Sequence, residues 1–361
     1  MKKSAIVLAL GLLLTAAVGV GAAGGADNLL VSLSYLQDTF TRQVEQETDR
    51  KLDDSDRLAL EGQGDREPIQ AAAVWQETRL KQNDILQAST GTELMVLAGK
   101  VQVSYYGGAV IDVTTGQVVA DGTVLTPNHR YLTAEDTSAL LVVTSKTAVV
   151  NYQGPYDLQY SDSVDYNAMA SALKTLHLFK GSFTGYGQGF DLEKAPTRLQ
   201  ALIMFIRVLG EEEEALAWSG TTPFKDLEKG SQAEKYVGYA YEKGYTNGYT
   251  ATAFKPAGAV NAYQYTEFVL RALGYSSIAN TNLADTLDRA QTAGVLTAGE
   301  AAMLQRDPFL RTELVYISYY ALDAAMAETG VTLGQTLETK GVFTEREYRA
   351  ARELVTTNRI Y

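Results

Sequence analysis

The chain runs to 361 residues with a net charge of −12, no cysteine, and two histidines, His129 and His177, far apart in sequence. So acidic a balance argues against nucleic acid or an anionic bilayer as a partner held by bulk electrostatics. Without cysteine there is no disulfide, and a zinc site would need carboxylates for at least half its ligands, so neither a metal nor a cofactor is expected.

Residues 1–26 have the three parts of a secretory signal peptide. Lys2 and Lys3 lead, Ala5 to Val20 is almost wholly apolar, and Gly21 to Ala26 is a small-residue stretch, which places cleavage between about Ala22 and Ala26. Cleavage leaves no integral membrane span in the mature form; a retained N-terminal anchor is the alternative. Residues 27–85 predict a helical stalk or hairpin. Leu33, Leu36, Phe40 and Val44 form a stripe at helical spacing, and Asp38/Arg42 and Glu47/Lys51 are pairs four apart. Pro68 breaks the pattern, and a second short helix is expected from Ile69 to about Lys81, with Ala72, Trp75 and Leu80 inward. A coiled-coil oligomer is the other reading of this region.

Residues 86–156 predict a small all-β sandwich or barrel. Leu94–Leu97, Val101–Tyr105, Val110–Val113, Gln117–Val119 and Leu140–Val143 are short, rich in β-branched residues and separated by glycines. The polar phrase Asn128-His-Arg-Tyr131 reads either as a ligand-touching loop or as a solvated turn at His129 and Arg130 with Tyr131 at the core edge.

From residue 157 the pattern turns helical, and His177 falls on the apolar segment Ala172 to Phe179, where a core or boundary histidine is expected. Two passages then repeat one another. Phe190-Asp-Leu-Glu-Lys-Ala-Pro-Thr-Arg198 precedes LQALIMFIRVLG, and Phe254-Lys-Pro-Ala-Gly-Ala-Val-Asn-Ala262 precedes YQYTEFVLRALG. In both, the Phe stands eight residues before position 198 or 262, and both helix-like runs close on Leu-Gly, at Gly210 and Gly274. Units that recur in this way bury their apolar faces against one another. Thr197 is a good N-cap for the run ending at Leu209, and Glu211 to Glu214 reads as a solvated acidic start to the next segment.

The second unit, with Phe224-Lys-Asp, the helix-like Ala233 to Gly244, Tyr245-Thr-Asn-Gly248 and Phe254-Lys-Pro256, resembles the S-layer homology family of bacterial cell-wall-binding repeats. The likeness extends to three units at about 165–210, 224–274 and 283–325 within 157–331, the third being the most decayed. It implies an all-α module of three two-helix units around a pseudo-threefold axis, with grooves that hold an anionic secondary cell-wall polysaccharide, often pyruvylated. The family's Thr-Arg-Ala-Glu box places its arginine at Arg198 and Arg311, with Ala262 in the second unit, and its glutamate at Gln200, Gln264 and Glu313. The box arginine is expected to bind a carboxylate beside the N–H groups of a helix start. The usual tryptophan is missing from the units, so sugar stacking is expected from Tyr236, Tyr239 and Tyr245. The β-region resembles a domain often found ahead of such repeats in exported proteins of Gram-positive anaerobes. Residues 332–361 are expected to form a helical tail, with Thr344-Glu-Arg-Glu347 as a capping box.

These resemblances imply a non-catalytic, extracellular protein of the cell wall or S-layer of a Gram-positive-type bacterium. No Gly-x-Ser-x-Gly, His-Glu-x-x-His or phosphate loop occurs in the sequence. The rival expectation is a structural or interaction protein whose degenerate repeats meet other envelope proteins and no glycan.

Overall fold

The computed structural model describes residues 70–181, 189–277 and 282–361. The expected signal peptide and the first helix of the stalk lie outside these residues.

The first part is a nine-stranded, wholly antiparallel sheet curled into a half-barrel. Its strands are β1 (Gln70–Lys81), β2 (Ile85–Ala88), β3 (Glu93–Ala98), β4 (Val101–Tyr106), β5 (Val110–Asp112), β6 (Gln117–Val118), β7 (Arg130–Thr133), β8 (Ser138–Val143) and β9 (Thr147–Gln159). The order is β4-β8-β2-β9-β3-β7-β5-β6, with β1 paired along β9. Alternation sets the faces: Val101 and Val103 of β4 and Leu94 and Val96 of β3 are buried, while the residues between them are not.

The helix expected from Ile69 to Lys81 is not formed. That stretch is β1, and the sheet therefore starts well before residue 86. Leu80 is buried whereas Trp75 is 38% exposed, so the apolar stripe supposed for a helix does not share one face. Long strand β9 supplies β1 with backbone partners on both sides of a bulge at residues 73–75, from Tyr156 opposite Gln70 to Thr147 opposite Lys81. In a half-barrel that pairing outweighs the helix propensity of the alanine run.

The second part is helical: α1 (Tyr166–Thr175), α2 (Arg198–Val208), α3 (Glu212–Ala217), α4 (Gln232–Glu242), α5 (Ala262–Ala272), α6 (Thr286–Thr292), α7 (Ala298–Arg306), α8 (Arg311–Ala321), α9 (Leu333–Thr339) and α10 (Glu345–Leu354). Helices α2, α5 and α8 each begin at a box position, and each touches the other two. Each also packs on the first helix of another unit: α2 on α4, α5 on α6, and α8 on α1, which closes the series. The core between them is apolar, with Phe190, Phe205, Phe254, Leu270, Tyr265 and Tyr316 almost fully buried. Gly210 and Gly274 end α2 and α5 with φ of +68° and +84°, the left-handed conformation a helix C′ position favours.

Three helices were not expected, the first being the short α3. Helix α7 is inserted in the third unit and α9 precedes the tail helix, each started by a reciprocal cap, Thr297 with Glu300 and Thr332 with Gln335. Helix α10 begins at the expected Thr344–Glu347 box. His177 is not a core histidine. It follows α1 with φ +62°, its side chain is 64% exposed, and Nε2 lies 3.4 Å from Glu347 Oε1. Among the described residues no helix is long and apolar enough to cross a membrane.

Candidate functional site

Both box arginines open a helix and are placed by the same backbone device. Thr197 caps α2 in a reciprocal box with Gln200: the Gln200 N–H donates to Thr197 Oγ1 (3.2 Å), and the Thr197 N–H donates to Gln200 Oε1 (3.0 Å). The next two N–H groups donate to the loop of the second unit, Arg198 to Gly258 O (2.8 Å) and Leu199 to Pro256 O (3.1 Å). At α8 the pattern recurs against the first unit, with Arg311 donating to Lys194 O (2.9 Å) and Thr312 to Leu192 O (3.3 Å). Gly258 and Lys194 each lie four residues after the repeat phenylalanine, Phe254 or Phe190. The repeated phrase is therefore the socket into which the box helix of another unit plugs.

This geometry corrects one expectation. The N–H groups of these helix starts already have internal acceptors, so an anion at the box arginine would meet the guanidinium without them.

The two guanidinium groups have different surroundings. Arg198 is 6% exposed; its Cζ lies 5.0 Å from the Phe254 ring centre and 5.9 Å from that of Phe268. Nη2 donates to Gly248 O at 3.3 Å, and the buried Nε has no hydrogen-bond partner. Among the described residues no carboxylate forms an ion pair with it. Burial, and then the neighbouring Arg271 guanidinium, lower its pKa from the usual arginine value. Arg311 instead has Asp191, with Nη1 3.5 Å from Oδ2. Arg311 also lines a cleft of about 170 Å³ together with Gln200, Arg207, Ile203, Met204 and Leu314.

The other expected residues are held by internal contacts. Glu313 is fully buried; it accepts from Leu310 N (2.7 Å) and Thr312 Oγ1 (2.9 Å) and pairs with Lys146 from the β8–β9 turn of the sheet. Gln264 completes the Asn261 cap of α5. The expectation that tyrosines offer sugar-stacking faces is not met by Tyr236 and Tyr239, which are 4% and 6% exposed. Tyr245 is half-buried, edge-on to Phe205. Their hydroxyls converge on the acidic run: Tyr236 on Glu212 (2.6 Å), Tyr239 and Tyr245 on Glu211 (3.0 Å each). Glu211 and Glu212 are thus acceptors for the second unit, contrary to the solvated role expected. Burial raises the Glu212 pKa, but hydrogen bonds from Lys180, Tyr236 and Arg207 outweigh it and bring the carboxyl down to about 2.

On the sheet, Tyr131 is buried as expected. His129 is more than a solvated turn residue: Nδ1 lies 2.7 Å from Asp112 Oδ2, and the ring stacks near Tyr131. Asp191 and Lys146 were given no role by sequence, and Glu211 and Glu212 only that of a solvated run, because each acts through a partner distant in the chain.

Residues 223–261, which contain the socket that receives Arg198, match the family model of the S-layer homology domain. Comparison with curated proteins gave no match. The Phe-x-Asp opening, the first helix, the glycine turn and the Phe-x-Pro socket of that domain are all formed here, and residues 223–261 of the chain are an S-layer homology domain.

Proposed function

We propose that this is a non-catalytic, exported protein held to the bacterial cell wall by non-covalent binding of an anionic secondary cell-wall polysaccharide. In this reading the first and third units complete, with the matched one, a pseudo-threefold module, and the wall is of the Gram-positive type. An S-layer homology domain generally mediates such anchoring, which supports the reading. The observation that carries it is Arg198, a buried guanidinium at the seam of two units that pairs with no carboxylate among the described residues. A buried cation without a counter-ion favours an external anion, and a planar fork suits a carboxylate. Arg311, which has Asp191, is the weaker contact, and Gln200 lies beside it at the cleft.

The test is retention of the full chain on purified sacculi, before and after the secondary polymer is stripped. Arg198→Ala should release the protein with its far-UV spectrum unchanged, since loss of a buried charge partner costs roughly 2–5 kcal/mol of binding. Lys255→Asp should do the same by giving Arg198 an internal carboxylate. A second reading, packing on another envelope protein, draws on Glu313 and the three tyrosines being engaged internally. Retention that survives both Arg198→Ala and stripping of the polymer would favour it.

A further inference from the structure

The outward face of the sheet around Trp75 has a construction that packing does not require. In β1, Ala72 faces Gly154 and Gln76 faces Tyr152, so residues 73–75 stand opposite the single residue 153. This is a bulge, a device that re-aims a side chain and is over-represented beside functional sites. It leaves Val74 67% and Trp75 38% exposed. Four adjacent strands then line up their outward residues. Gln153 of β9 faces Glu93 of β3, and Met95, two residues along on the same face, is opposite Arg130 of β7. Their inward neighbours, Tyr152, Leu94 and Tyr131, are buried in the core.

The polar groups on this face are already organised. Glu93 Oε2 accepts from Gln153 Nε2 (2.9 Å) and from Arg130 Nε (3.1 Å), and Arg130 Nη2 also bonds it. The Arg130 guanidinium lies 5.6 Å from the Trp75 ring centre, and 45% of its side chain remains exposed. Arginine and glutamate neutralise one another, so this face does not select an ion. It offers a guanidinium, an amide and a carboxylate, donors and acceptors side by side, next to an indole fixed on one flank and open to solvent elsewhere. That combination matches a sugar ring, whose C–H face packs on an aromatic while adjacent hydroxyls both donate and accept.

We infer that the β1–β9–β3–β7 face, centred on Trp75, Gln153, Glu93 and Arg130, is a second saccharide site that takes a neutral oligosaccharide chain. It is separate from the Arg198 seam and does not rest on the wall-anchoring reading. It gives the phrase Asn128-His-Arg-Tyr131 a role: the turn sets Arg130 at the start of β7, outward beside Glu93, while Tyr131 points into the core.

The experiment uses the full chain and two defined probes, the β-1,4-linked tetramers of N-acetylglucosamine and of glucose. Tryptophan emission and titration calorimetry are followed with each. At least one tetramer should give a saturable change in emission, which Trp75→Ala abolishes and Gln153→Ala weakens at least about tenfold, the equivalent of about 1.4 kcal/mol. Both are surface substitutions, so the far-UV spectrum and melting temperature should hold. Arg198→Ala should bind the tetramer like the parent chain, whatever it does to wall retention. Absence of a saturable response to both tetramers overturns the proposal, and so does a response that folded Trp75→Ala retains.

Discussion

Lys146→Met tests how the sheet is fastened to the helical module. Lys146 lies in the turn between β8 and β9 and reaches Glu313, a carboxylate with no solvent exposure, and Asp307 Oδ2 at 2.7 Å. Methionine keeps the length and packing of the stem and removes the ammonium. Asp307 retains Arg306 at 2.7 Å, but Glu313 is left with the Leu310 N–H and the Thr312 hydroxyl and no cation. Breaking a buried pair from one side costs about 3–5 kcal/mol, and the two surviving hydrogen bonds put this case near the lower figure, about 3 kcal/mol. At about 2–4 °C per kcal/mol, scanning calorimetry should show a Tm lowered by roughly 6–12 °C. Adding Glu313→Gln removes the stranded charge while its amide oxygen can still accept from Leu310. The double variant should recover more than half of the loss. A single variant that melts with the parent chain, or a double variant no better than the single, refutes the reasoning.

Two further outcomes follow from packing and from titration. Gly238→Ala would place a Cβ 2.1 Å from Trp218 Cη2, so the ring must move; denaturant unfolding should show a loss of about 1–3 kcal/mol, with Trp218 emission shifted to the red. Glu212 is held at about 2 in the folded chain against an ordinary 4.5, a depressed carboxyl. Its contribution is therefore complete above pH 4.5 and lost as pH falls through 2. Denaturation midpoints across pH 6 to 2.5 should fall further for the parent chain than for Glu212→Gln; parallel curves would count against the assignment.

Much of the architecture follows from local pattern. Alternating Val and Leu in β3, β4 and β8, and the Leu-Gly closures of α2 and α5, carry their structure in neighbouring residues. Strand β1 does not, because its bulge breaks the alternation at 73–75 and its pairing depends on β9, far along the chain. Helices α7 and α9 were legible in principle: Thr297-Ala-Gly-Glu300 and Thr332-Leu-Gly-Gln335 have the same capping spacing that marks Thr344-Glu-Arg-Glu347. Their cores are short, and α7 stands between the first helix and the box helix of the third unit.

The positions of the site residues could be read from the repeat, but not the partners that decide what those residues do. Glu313 and Lys146 are 167 residues apart, and no local spacing connects them. The contrast between the two arginines has a simpler source, visible once the sockets are aligned. Arg311 plugs into the phrase that begins Phe190-Asp191, and Arg198 into the phrase that begins Phe254-Lys255. Asp191 and Lys255 occupy one place in the repeat and share one backbone conformation, with φ of +51° and +59°. In the first socket that place carries the carboxylate that pairs with the incoming arginine. In the second it carries a lysine, exposed and with its Nζ 3.6 Å from the Tyr249 ring centre, so that place offers Arg198 no acid. A backbone that keeps its shape while one side chain changes sign replaces an internal ion pair with a guanidinium that has no carboxylate partner among the described residues. In the proposed reading, that exchange makes the seam between the first and second units the one suited to an anionic ligand.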